Sequence, residues 1–116
     1  MANKLKGQID IKLGSKEYKT RLTIEAIMQI EDTLDKGIVK IATNMSEGDV
    51  RMSQIVAILT PALRGGGNDL QQKDVVKIIQ EVGIVPSTAA VAQLLMEVLT
   101  HQQSEDSEEK KPEKVE

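Results

Sequence analysis

The hydrophobic period of this sequence changes once, at Thr23, and the change divides the chain into two kinds of structure. Before it, Ile9, Ile11 and Leu13 alternate with Gln8, Asp10 and Lys12. After Gly14-Ser15 the apolar phase moves to Tyr18, Leu22 and Ile24, with Lys19, Arg21 and Thr23 between them. Period-two alternation marks strands buried on one face, and glycine at the first position of a two-residue loop suits a type II′ turn. Residues 8–23 therefore read as a β-hairpin. A Gly14-Ser15 loop sets Ile11 opposite Tyr18 and Ile9 opposite Thr20, whereas a Ser15-Lys16 loop pairs Leu13 with Tyr18. Both keep the apolar side chains on one face, so the face is defined and the register stays open. A lone hairpin is marginal in water and must pack on the rest of the chain.

From Thr23 the apolar residues recur at helical spacing. Thr23 can cap a helix with Ile24, Ile27, Met28 and Leu34 on one side and Gly37 placed to end it. Ile38, Ile41, Ala42 and Met45 define a short second helix, broken by Ser46-Glu47-Gly48-Asp49, which offers a new cap. A third carries Met52, Ile55, Val56, Leu59 and Leu63, and Pro61 inside it predicts a kink or an early end. Gly65-Gly66-Gly67-Asn68 reads as a flexible break. Val75, Ile78, Ile79 and Val82 give a fourth helix closed by Gly83. Pro86 and Ser87 open a fifth with Val91, Leu94, Leu95, Val98 and Leu99 as its stripe.

Beyond His101 the segment QQSEDSEEKKPEKVE is almost without apolar residues and cannot offset its ordering entropy. The expected organisation is α+β: one domain over residues 1–101, a hairpin at about 8–23 packed on four to five short helices at about 24–101, and a disordered charged tail over 102–116. No internal repeat is visible.

Composition narrows the function. The chain has 116 residues, no cysteine, one histidine, and Tyr18 as its one aromatic side chain. Thiolate metal sites, disulfides and thiol nucleophiles are excluded, and so are a multi-histidine zinc site and an aromatic base-stacking platform. No stretch approaches the roughly 20 apolar residues of a membrane span. Residues 1–6 lack the apolar core of a signal peptide. The absent cysteines and signal fit the cytoplasm.

The net charge of −3 hides a bipolar distribution. Residues 1–23 carry +4, residues 24–101 carry −4 and residues 102–116 carry −3. A basic hairpin could meet phosphates. Alternating lysines are also what an exposed strand face uses to prevent edge-to-edge pairing.

Constellations that would carry chemistry are weak. Arg64-Gly65-Gly66-Gly67 lacks the lysine and the preceding strand of a phosphate loop. Glu31, Asp32 and Asp35 cluster at one helix end, without the spacing of a calcium loop. His101 has no base or ligand partner in the sequence and suits a helix C-terminus. The two helices joined by Gly83-Ile84-Val85-Pro86 invite a helix-turn-helix reading. The second of them, opening Ser87-Thr88-Ala89-Ala90-Val91-Ala92, has no basic residue for bases or phosphates, which argues against duplex binding. No catalytic residue, cofactor or metal is expected.

Six apolar residues lie outside every periodic stripe: Ile30, Val39, Ile58, Ile84, Val85 and Met96. They form either a second internal packing layer or an exposed apolar patch that receives a partner helix.

The opening GQIDIKLGSKEYKTRLTIEAIMQIEDTLDKG, a hairpin running directly into a helix, resembles the phage tail assembly chaperones related to the gene-transfer-agent tail proteins. The matching positions are Gly7, Ile9, Ile11, Leu13, Gly14, Lys16, Tyr18, Arg21, Leu22, Thr23, Glu31 and Gly37. The likeness covers about residues 5–101. Ser15 departs from it where a second glycine is common, and Gln71 departs where threonine often caps the fourth helix. The resemblance implies a non-enzymatic protein of the bacterial host's cytoplasm that binds the long helical tape-measure protein during tail morphogenesis. Its further partners would be the tail-tube protein or other copies of itself, with no membrane role. A structural tail-tube or connector subunit retained in the virion is the alternative.

Overall fold

The structure is a computed structural model that describes the backbone of residues 7–115 and the side chains of residues 7–100. Strands β1 (Gln8–Leu13) and β2 (Lys16–Arg21) form a two-stranded antiparallel sheet. Five helices follow: α1 (Ile24–Leu34), α2 (Ile38–Ser46), α3 (Met52–Gly65), α4 (Gln72–Val82) and α5 (Ile84–Val115). The fold is α+β, with the hairpin first. His101 and the charged segment 102–116, expected to be disordered, lie outside the residues whose side chains are described.

The hairpin takes the register of the Gly14-Ser15 loop: Ile11 faces Tyr18 and Ile9 faces Thr20. Gly14 has φ +69° and Ser15 does not share a positive φ, the pattern of a type II′ turn. Ile9, Ile11, Leu13, Thr20 and Leu22 are buried on one face, while Lys12 and Lys19 are exposed. Thr20 is a buried polar residue in that apolar face, and its hydroxyl donates to the Ile9 carbonyl oxygen at 2.7 Å. The bond explains how threonine is tolerated there.

Helices α3 and α5 cover the sheet: α3 packs on β2, α5 on β1, and the two touch each other. Around them α1 packs on α3, α2 on α5, and α4 on both. Ile55, Ile58, Leu59, Leu63, Val91, Leu94 and Leu95 are fully buried where these layers meet. Each such aliphatic side chain contributes roughly 1.5–3 kcal/mol over an exposed one.

Thr23 caps α1, its Oγ1 accepting from the Ala26 N–H at 3.1 Å. The core side of α1 differs from the expected one. Ile27 and Ile30 are buried and Leu34 is half-buried, whereas Ile24 and Met28 are exposed. The helix turns its i, i+3, i+7 row inward because that row meets α3. Nor does Gly37 end the helix. Asp35 does so in the left-handed conformation, φ 56°, and Gly37 is the N-cap of α2. Aspartate is one of the few non-glycine residues that tolerates this backbone.

The cap of α3 is Arg51, outside Ser46–Asp49, and its N–H donates to Gln54 Oε1 at 3.1 Å. The cap of α4 is Gln71, whose N–H donates to Asp74 Oδ2 at 2.9 Å. In both cases the side chain three residues on satisfies the cap's own N–H. Pro61 does not end α3, which continues through Gly65. Helix α5 starts at Ile84, two residues before Pro86, after a 118° bend at Gly83. Gly83 has φ +107°, a backbone few side chains allow.

The glycine run is a fitted contact. A Cβ at Gly65 would collide with the Arg21 carbonyl, and one at Gly66 with the Lys19 carbonyl and the Thr20 backbone. The end of α3 lies directly against strand β2, closer than any side chain permits.

Candidate functional site: an apolar groove between three helices

Helices α1 and α4 both pack on α3, which lies between them. The space left between their outer parts is a groove of about 1170 Å³. Helix α3 supplies Met52, Val56, Ala57, Thr60 and Pro61, α1 supplies Gln29, Ile30 and Thr33, and α4 supplies Gln72, Val76, Ile79 and Gln80. Gly83 and Ile84 join the lining from the α4–α5 bend, and Arg64 is the one charged side chain in it.

Pro61 shapes this lining. It has no N–H, so the Ala57 carbonyl lacks the donor an uninterrupted helix would give it. One turn on from Val56, the buried Oγ1 of Thr60 has no hydrogen-bond partner. On α3 the lining thus sets the apolar Met52, Val56, Ala57 and Pro61 beside the polar Ser53, Thr60 and Arg64.

The volume exceeds the roughly 300–1,000 Å³ of small-molecule pockets, and the lining holds no convergent pair of titratable groups. A groove of this kind can cover the apolar side of a helix from another chain.

The acidic cluster has a structural use. Glu31 Oε2 accepts from the Ile38 N–H at 2.8 Å, so a carboxylate from the end of α1 caps the start of α2. Negative charge there also complements the helix dipole. Among the described residues no group of three or more His, Cys, Asp or Glu is placed to hold a metal ion. Among the same residues, no single helix is long and apolar enough to cross a membrane.

The six apolar residues singled out in the sequence do not form one patch. Ile58 is buried in the core under α3, so it offers no surface. Ile30 is also buried, at 2 % exposure, with its edge in the groove wall. Both face inward because α3 is packed on several sides and α1 meets it. Val39, at 63 %, stands on α2 away from the groove lining. Ile84, at 61 %, lines the groove, and Val85 and Met96 are exposed on α5. Sequence reasoning missed Val56, Ala57, Pro61 and Val76 as groove residues. Two signals were available: a proline inside an apolar helix, and Val76 standing off the stripe of α4.

A family model described as "Phage tail tube protein, GTA-gp10" matches residues 6–101. That span holds the hairpin, all the groove-lining residues and α5 as far as residue 101. Neither a curated protein nor a solved structure gives a significant match.

Proposed function

The chain belongs to the family described as phage tail tube protein, GTA-gp10, and on that premise we propose that it is a structural subunit of a long phage-type tail. In this reading it acts by protein–protein contact and not by catalysis, and it is made and assembled in the cytoplasm of the bacterial host. The observation that carries the reading is the family match over residues 6–101, and the groove framed by α1, α3 and α4 offers the surface for such contact. The family's description names a tail component and supports the structural role over that of an assembly chaperone.

A specific observation keeps the chaperone as a second reading. A largely apolar groove with a single charged residue in its lining also suits an amphipathic tape-measure helix awaiting its tube. Quantitative mass spectrometry of purified particles and of the assembling lysate separates the two. A structural subunit is present in particles at a fixed multiple of the other tail proteins. A chaperone is found with the tape-measure protein in the lysate and is missing from particles. Absence from both fractions overturns both readings.

A further inference from the structure

Helix α5 carries no charged residue from Ile84 to Met96, although one side of it faces away from the core. A helix at a protein surface ordinarily carries its charges on that side. Its core face is Ser87, Ala90, Val91, Leu94, Leu95 and Val98, all buried. At about 100° per residue, Val85, Ala89, Ala92 and Met96 fall on the opposite side. Val85 is 77 % and Met96 56 % exposed, Ala89 is exposed and Ala92 half-buried. Their spacing of four, three and four residues is that of a coiled-coil seam, and the two alanines in its middle let another backbone come close. The outer side of α5 is an uncharged helix face, exposed at Val85, Ala89 and Met96.

The same chain holds a surface that fits it. The groove runs along α3 from Met52 to Arg64, about 18 Å at ~1.5 Å per residue. The seam from Val85 to Met96 is about 16 Å long by the same measure. Between Met52 and Pro61 the α3 lining is uncharged, as is α5 from Ile84 to Met96, and the exposed Arg64 stands at the far end of the groove, where a long side chain keeps its charge in water.

We propose that the outer face of α5 in one copy of this chain seats in the α1–α3–α4 groove of the next copy. The contact is heterologous: two different surfaces of the same chain meet head to tail. It does not saturate in a pair and continues into a ring or a filament. A seam-to-seam dimer would leave the groove open, and a groove filled by another protein would leave the seam open. The inference stands on these residues alone, whether the chain is built into a tail or only attends its assembly.

The test uses sedimentation of the full chain over a range of concentrations, with Ala89→Glu in the seam and Val76→Glu in the groove. Both positions are exposed, so neither charge enters the core. The wild-type mass is expected to rise from 12.7 kDa past that of a pair as concentration rises. Each variant alone stays a single chain. Their equimolar mixture forms one-to-one pairs and nothing larger, since one intact groove and one intact seam remain. The proposal is overturned by a wild type monomeric at every concentration, a Val76→Glu chain that associates like wild type, or a mixture that stays monomeric while wild type associates. The native chain has no cysteine, so Ala89→Cys and Val76→Cys give a second readout independent of the added charges. Oxidation of the mixed cysteine variants should link unlike chains. Linkage of Ala89→Cys to itself, or no linkage at all, overturns the proposal.

Discussion

Asn68 ties the end of α3 to the hairpin: its side-chain amide donates to the Lys19 carbonyl oxygen at 2.8 Å and to the Leu63 carbonyl oxygen at 3.0 Å. The first bond links residues far apart in sequence, and the second closes the helix end. Gly65 and Gly66 bring the backbones together at the same place. Because α3 also supplies the groove lining, this junction fixes the groove relative to the sheet.

Gly66→Ala is therefore expected to lower the unfolding free energy by about 1–3 kcal/mol or more, since the obstruction is backbone that cannot swing aside. Asn68→Ala should cost about 1–2 kcal/mol through the two lost bonds. A Cβ at Gly37 would lie 3.9 Å from Glu31 Oε2, an ordinary contact. Gly37→Ala should therefore cost well under Gly66→Ala. Urea midpoints of the three variants rank the effects, and equal losses at Gly37 and Gly66 would refute the packed junction.

Glu31 is expected to matter as an acceptor more than as a charge. Glu31→Ala leaves the Ile38 N–H without its cap and should cost about 0.5–2 kcal/mol. Glu31→Gln keeps an oxygen at the same reach and should recover most of the loss. Amide exchange at Ile38 checks the mechanism: it should quicken in Glu31→Ala and stay near wild type in Glu31→Gln.

The sequence made the hairpin legible because a single buried face forces period two, and only the turn geometry at Gly14 was needed to choose between registers. Helix α1 was harder to read. Ile24, Ile27, Met28, Ile30 and Leu34 cover more than one side, so periodicity admits two core faces and packing against α3 decides between them. The glycine run misled for another reason. Its purpose is contact with Lys19 and Arg21, more than forty residues earlier, and local composition carries no trace of that. The groove was legible only in part. Ile84 stood out as aperiodic, but Val56 and Ala57 belong to a helix whose other side is core, and only the placement of α1 and α4 leaves them uncovered.

Ser87 is fully buried in α5 and its hydroxyl has no hydrogen-bond partner. An unpaired buried hydroxyl has lost its water without replacement, and removing it restores an apolar fit. Alanine is also the better helix former. Ser87→Ala should accordingly raise the unfolding free energy, by up to about 1 kcal/mol. Thermal and urea melts read this directly, and a destabilised variant would mean that the hydroxyl has a partner.

Pro61 is where stability and surface pull in opposite directions. Inside a helix proline is roughly 3 kcal/mol less favourable than alanine, and it withholds a donor from the Ala57 carbonyl. Pro61→Ala restores that N–H and should raise the unfolding free energy by about 1–3 kcal/mol. The ring also lines the groove. Alanine removes about two methylene groups from it, each worth roughly 0.8 kcal/mol when covered. Head-to-tail association should weaken by up to roughly tenfold in Kd. Denaturation midpoint and sedimentation, measured on the same preparation, should therefore move in opposite directions. A higher midpoint with unchanged association would reduce Pro61 to a helix defect with no part in the groove.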